Sequence, residues 1–212
     1  MYLKQFYLLL ALMPEIIGIV LDNGLQSQNQ DYLPSRLTIQ REVILNIIQK
    51  VFDEQNGNLL GIFPTCQEIK NRIITPTTDK QFLMDFTFEV DLNKNLDYSL
   101  ALFQAEQALQ LSELSSKKLL VFMSSPVTEF GKVLEELGNI AVKGITVKLV
   151  FMGDALEFGL LATSELDFPN VSTLVLQPGS FVEDQLSEFL ADGEEIEDFE
   201  LQEALQKSMY EK

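Results

Sequence analysis

Ile16-Ile17-Gly18-Ile19-Val20-Leu21-Asp22-Asn23-Gly24 is the stretch that decides the fold. Residues 16–21 form a continuous, largely β-branched apolar run with no polar alternation, and Asp22-Asn23-Gly24 supplies turn chemistry directly after it. A strand that is apolar on both faces belongs inside a parallel sheet covered by helices on both sides. Its polar end then marks the carboxyl edge of the sheet, where open α/β folds bind their ligands.

Outward from that strand, a polar loop covers residues 26–31. Leu33-Pro34-Ser35-Arg36 then opens a helix predicted to run to about Gln55. Its apolar residues Leu37, Val43, Ile44, Ile47, Ile48 and Val51 recur mostly three or four apart, and Gly57 is its stop. Residues 58–63 read as a second strand and residues 69–74 as a third, ended by Pro76. The gap between them, 64–68, is too short for a crossover helix, so the pair is an antiparallel hairpin with the third strand at the sheet edge. Thr78-Asp79-Lys80-Gln81 opens a short helix with Phe82, Leu83 and Phe86. Asn95-Leu96-Asp97 opens a longer one through Leu100, Phe103, Ala108 and Leu111. Buried strands are predicted at 118–124, 145–152 and 171–176. A helix at 127–142 lies between the first two, with Val133, Leu134, Leu137 and Ile140 on one face and Gly144 as its cap. A short helix is expected near Asp154 and another at 181–190. This order describes an α/β, doubly wound, mostly parallel sheet of about six strands with one antiparallel edge strand.

The 212 residues carry 15 Lys plus Arg against 32 Asp plus Glu, a net charge of −17. A field of that sign repels phosphate backbones and anionic lipid, so neither nucleic acid nor a membrane surface is an expected partner. Nine of the acids fall in residues 183–200, which hold no Lys or Arg. The chain has no His and one Cys, Cys66. That excludes Ser-His-Asp and Cys-His catalysis, any His-bearing zinc site, and an internal disulfide. Cys66 has no basic cluster beside it and reads as an ordinary loop or strand-end residue. Residues 1–12 (MYLKQFYLLLAL) are too short to span a bilayer, and no small-residue cleavage site follows them. They are expected to be an apolar extension packed on a domain that begins at Met13, where a start of translation is also conceivable.

The loop after the first strand is the place to look for chemistry. It has neither GxGxxG nor a Walker sequence, which excludes nucleotide binding. Glu135-Glu136 read as solvated helix residues, and Ser124-Ser125-Pro126 ends a strand with no base in prospect, so no enzyme and no cofactor are expected. Asp22 is expected to hydrogen-bond its own loop as an Asx turn or to contact a partner.

The C-terminal segment carries a second signal. After the acidic run, Leu201, Ala204, Leu205, Ser208 and Met209 follow i, i+3, i+4, i+7, i+8, one stripe of a helix. Acids at its start and Lys207 and Lys212 near its end suit the helix dipole. Ala204 permits close approach of a partner, and a Ser one turn on can hydrogen-bond to it. A terminal helix docked on its own domain has the same periodicity, and that alternative stays open on spacing alone.

Leu201-x-x-Ala204-x-x-x-Ser208-x-x-Glu211, preceded by acids, resembles the ubiquitin-interacting motif. Leu21-Asp22-Asn23, the stretch Asn29-Gln30-Asp31-Tyr32-Leu33-Pro34-Ser35-Arg36-Leu37, Gln40, Ser124-Ser125-Pro126 and Gln177-Pro178-Gly179 resemble the von Willebrand A-domain ubiquitin receptors of the proteasome regulatory particle. The resemblance runs from Pro14 to Lys212. It departs at Gly24, where that family usually has Ser, and residues 1–12 have no counterpart. Domains of the von Willebrand A type carry D-x-S-x-S after the first strand to hold a hard divalent cation. Here Gly24 and Gln26 replace both hydroxyls, and no metal is expected.

The resemblance implies a von Willebrand A-like domain at 13–190, an acidic linker at 191–196 and a ubiquitin-interacting helix at 197–212. It implies a non-catalytic scaffold of the cytoplasm and nucleus. Its domain would dock onto proteasome lid and base subunits, with Asp22 and Asn23 as a candidate docking loop. Its tail would capture ubiquitin and polyubiquitin chains. Leu201, Ala204, Leu205, Ser208 and Met209 would meet ubiquitin's apolar patch, and Glu197, Asp198, Glu200 and Glu211 its basic rim. The competing reading is a von Willebrand A scaffold of another complex, such as one for transcription and repair, with the last helix packed at home.

Overall fold

The computed structural model describes residues 14–54, 57–68, 72–179 and 182–191. Residues 14–179 belong to one compact unit, and the helix at Val182–Ala191 falls outside it. The decisive apolar run forms β1 (Glu15–Leu21), buried along its whole length after Glu15. Its neighbours are β2 (Leu59–Pro64) on one side and β4 (Ser116–Met123) on the other, both parallel to it. β5 (Thr146–Phe151) and β6 (Val171–Val175) continue the parallel set. β3 (Ile74–Thr77) closes the far edge antiparallel to β2, giving the order β3-β2-β1-β4-β5-β6. The β1/β4 boundary is the point at which strand order reverses, and crevices form there at the carboxyl ends of the strands.

Helices cover the sheet as the periodicity predicts. α1 (Arg36–Glu54) starts where Ser35 accepts a hydrogen bond from Thr38 N at 3.2 Å, and buries Leu37, Ile44, Ile48 and Val51. α2 (Lys80–Glu89) is capped by Asp79 and packs on α1. α3 (Tyr98–Leu111) is capped by Asp97. With α4 (Phe130–Val142) and α5 (Leu156–Glu165) it covers one face, joining Val20, Phe63, Val121, Leu149 and Phe151 in a single apolar core. On α3 the buried stripe is Ala101, Leu102, Ala105 and Leu109, whereas Leu100, Phe103 and Leu111 face outward. Gly159 on α5 leaves room for Phe151, since a Cβ there would lie 2.6 Å from Phe151 Cγ, so this helix lies tight on β5. α6 (Val182–Ala191) has Glu183 and Asp184 in its first turn, where acids suit the helix dipole.

One element is displaced from its expected position. The third strand is predicted at 69–74 but lies at Ile74–Thr77, and Pro76 is inside it rather than after it. Leu60 pairs with Thr77 and Ile62 with Ile74, so Thr75 and Pro76 together oppose Gly61. That is a bulge, and it tolerates a residue with no N–H on an edge strand. Gly61 makes the close approach possible, since a Cβ there would lie 3.0 Å from Ile74 O and 3.1 Å from Pro76 Cδ.

Candidate functional site

At the carboxyl end of β1, the chain places a fully buried carboxylate. Asp22 Oδ1 accepts from Gly24 N at 2.9 Å, Ser27 Oγ at 3.1 Å and Ser125 Oγ at 2.9 Å. Its Oδ2 accepts from Ser124 N at 2.6 Å, Ser125 N at 2.7 Å, Ser124 Oγ at 3.0 Å and the Tyr98 hydroxyl. The expected Asx turn is therefore present, in the Gly24 contact. Ser27 is a donor from the same loop, and the remaining donors come from the end of β4 and the start of α3, up to 103 residues away in the chain. A carboxylate offers about four lone-pair directions, and these donors fill them. Gln40, fully buried on α1, treats the Asp22 backbone as a strand partner would. Its Oε1 accepts from Asp22 N at 2.9 Å and its Nε2 donates to Asp22 O at 3.2 Å. Burial, and then the neighbouring Asp22 charge, pushes the Tyr98 phenol well above its ordinary value.

Asn23 is also fully buried and ties three loops together. Its Nδ2 donates to Cys66 O at 3.0 Å and Asp91 O at 2.9 Å, and its Oδ1 accepts from Cys66 N at 2.8 Å. Cys66 is a buried loop residue, and burial, with Asp22 nearby, pushes its thiol up to about 12. A thiol raised by burial in this way has the character of a structural cysteine.

A second buried charge lies beside the first. Arg36 is 3% exposed and grips Asp31 with two parallel hydrogen bonds, Nε to Oδ1 at 2.8 Å and Nη2 to Oδ2 at 2.7 Å. Its Nη1 donates to Asp154 Oδ2 at 2.7 Å and to the Ser124 carbonyl. Burial opposes the guanidinium charge, but the hydrogen bonds and charges of Asp31 and Asp154 outweigh it and raise its pKa. The same bond to Arg36 holds the Asp31 carboxyl below its ordinary range. Gly153, at φ +59°, makes the seat, because a Cβ there would lie 1.9 Å from Arg36 Cζ. Tyr32, also buried, accepts from Gly153 N at 3.1 Å and donates to Leu176 O at 2.7 Å, which extends the network to the end of β6.

The structure thus brings Asp22 and Asn23 together but turns both side chains inward. They shape the loop, and its exposed surface is made by Leu25, Gln26, residues 28–31 and Leu33, which is 80% exposed. Sequence reasoning missed the roles of Ser27, Tyr98, Ser124, Ser125, Gln40 and Arg36. Polar residues abutting the ends of buried strands were the available signal. Glu197, Asp198, Glu200, Leu201, Ala204, Leu205, Ser208, Met209 and Glu211 lie outside the described residues.

A profile of the von Willebrand factor type A domain matches residues 17–127, more than half of the chain. The chain belongs to the von Willebrand factor type A domain family. Among curated relatives, the 26S proteasome non-ATPase regulatory subunit 4 homolog of Oryza sativa subsp. japonica is 24% identical over 143 residues. That match covers 66% of this chain and 36% of the rice protein, so the chain spans about a third of that relative. Among solved structures, the SpRpn10 VWA domain superposes with a TM-score of 0.65 at 15% identity, covering 82% of this chain and 95% of that one. The TFIIH p34 N-terminal domain superposes with a TM-score of 0.61 at 13% identity, covering 84% and 96%. At these identities both likenesses show the von Willebrand factor type A fold.

The family position for a divalent cation can be tested against the residues present, and they do not fit one. Asp22 is the one carboxylate at the spot, Gly24 offers no side-chain oxygen, and Gln26 is exposed while Ser27 turns inward in its place. A dication beside a single buried carboxylate leaves uncompensated charge, which is costly. The Arg36 guanidinium, bonded to the carbonyl of Ser124, is a fixed positive charge next door. Among the described residues no cluster of three or more acidic, His or Cys side chains is suited to a metal ion. No described helix is long and apolar enough to cross a membrane.

Proposed function

We propose that this chain is a non-catalytic subunit of the proteasome regulatory particle, docked through its von Willebrand factor type A domain and capturing ubiquitin chains through its C-terminal helix. The observation that carries the docking half is the loop at the carboxyl end of β1. Buried hydrogen bonds of Asp22, Asn23 and Gln40 clamp it to the sheet, while Leu25 and Leu33 project from it. A rigid loop with exposed apolar residues loses little entropy on binding a protein partner. The likeness to the rice 26S proteasome regulatory subunit homolog supports a proteasome partner, and in this reading the domain docks onto lid and base subunits of the particle. The absence of His from the sequence and the raised thiol of Cys66 support a binding role over a catalytic one.

The tail half rests on Leu201, Ala204, Leu205, Ser208 and Met209, with Glu197, Asp198, Glu200 and Glu211 at the rim. A single helix buries little area, so one ubiquitin binds weakly and chains bind better by rebinding. Such a protein works in cytoplasm and nucleus. Titration of ¹⁵N-labelled ubiquitin with the full chain tests this half. Shifts confined to ubiquitin's apolar patch, abolished by Ala204→Arg and weakened by Ser208→Ala, are expected. No shifts at millimolar ubiquitin would reduce the chain to a scaffold.

A further inference from the structure

Where the family pattern gathers oxygens around a dication, this chain gathers them around a guanidinium. Four oxygens surround Arg36: both carboxylate oxygens of Asp31, Asp154 Oδ2 and the carbonyl of Ser124. They come from the β1–α1 loop, the end of β4 and the turn after β5, so one buried charge joins the carboxyl ends of three neighbouring strands. Hard oxygens of this kind, carboxylate and backbone carbonyl, are what Ca²⁺ and Mg²⁺ recruit. The seat is also shaped for the guanidinium, since any side chain at residue 153 would collide with it. Ser124 links the two sites. Its carbonyl faces Arg36, and its N–H and hydroxyl face Asp22.

We propose that Arg36 is a built-in organic cation that takes over the ordering role of a metal ion at the carboxyl end of this sheet, making the β1–α1 loop independent of divalent cations. The guanidinium arrives with the chain, so the loop is formed at every metal concentration. Its planar fork fixes Asp31 bidentately, which a lysine cannot do.

The test is thermal unfolding of the full chain at neutral pH, in chelator and in millimolar Ca²⁺. The wild-type midpoint is expected to move by less than about 1 °C. Arg36→Ala lowers the midpoint in chelator by about 5–10 °C. It also leaves Asp31, Asp154 and the Ser124 carbonyl around an empty seat, and Ca²⁺ is expected to restore about half of that loss. Arg36→Ala with Asp31→Asn is expected to show no such recovery, which separates binding in the seat from binding to the acidic stretch at 183–200. If Arg36→Ala does not fold, Gly153→Ala serves. It displaces the guanidinium while keeping its charge, so it lowers the midpoint without gaining a response to Ca²⁺. A wild-type midpoint that rises with Ca²⁺ and falls with chelator overturns the proposal. So does a folded Arg36→Ala that Ca²⁺ leaves unchanged, or a Gly153→Ala chain as stable as the wild type.

Discussion

Asp22 and Arg36 are buried charges at the same end of the same sheet, joined through Ser124, yet they are neutralised by opposite means. Asp22 has no formal countercharge in contact. Backbone N–H dipoles and the hydroxyls of Ser27, Ser124, Ser125 and Tyr98 surround it, all buried. Arg36 is met by two carboxylates, and those face water: the Asp31 and Asp154 side chains are 34% and 43% exposed. The comparison teaches that the first site is insulated from solvent conditions and the second is coupled to them. Removing Asp22 strands donors that cannot be rehydrated. Removing Arg36 leaves acids that can turn to water.

The largest effect is therefore expected at Asp22. Asp22→Ala leaves the amides of Ser124 and Ser125 and several hydroxyls without an acceptor, at about 1–3 kcal/mol for each stranded group. A loss of about 4–5 kcal/mol, or failure to fold, is expected in urea unfolding followed by circular dichroism. Arg36→Met should cost less, about 2–3 kcal/mol, because the freed carboxylates rehydrate. Equal losses at the two positions would break the comparison.

Tyr98→Phe removes one donor to Asp22 and should cost about 1–2 kcal/mol. Burial raises the phenols of Tyr98 and Tyr32 above the ordinary value of 10.0. Their contribution is thus complete below that value and is lost as pH climbs through the raised folded values. In an alkaline absorbance titration, Tyr98 and Tyr32 should ionise late, and Tyr98→Phe should remove one late-ionising phenol.

A smaller effect separates the sites by acid. The Asp31 carboxyl is held below 3.8 by its bond to Arg36, so its contribution is present above that unfolded value and is lost as pH falls through the folded one. Between about pH 5 and pH 3, the wild type should lose more stability than Asp31→Asn. Identical pH profiles would place the pair's stabilisation elsewhere. The smallest effect is expected at the surface: Leu33→Asp should change stability by less than about 0.5 kcal/mol, while weakening attachment to the regulatory particle.

How much of this was legible in the sequence follows the same divide between local and distant partners. β1 was readable from residues 16–21 because a run apolar on both faces has one natural place in an α/β sheet. The caps Asp79 and Asp97 were readable because their acceptors and donors are three residues apart. The third strand was misplaced because a bulge at Thr75 and Pro76 breaks the two-residue period on which strand prediction rests. The Asp22 site was half legible. Its position followed from the strand end and its Asx turn from Gly24. Apart from Ser27, its remaining donors come from residues far along the chain, and no periodicity connects them. Gly24 itself reads as a lost ligand, but the structure gives it a steric reason: a Cβ would lie 2.3 Å from Ser125 Oγ.

The most direct test of the account is a native-gel binding measurement between the full chain and purified proteasome regulatory particles that lack a subunit of this kind. A stable complex is predicted, retained when residues 191–212 are deleted and weakened by Leu33→Asp. A full-length, folded chain that forms no complex with the particle would contradict the account.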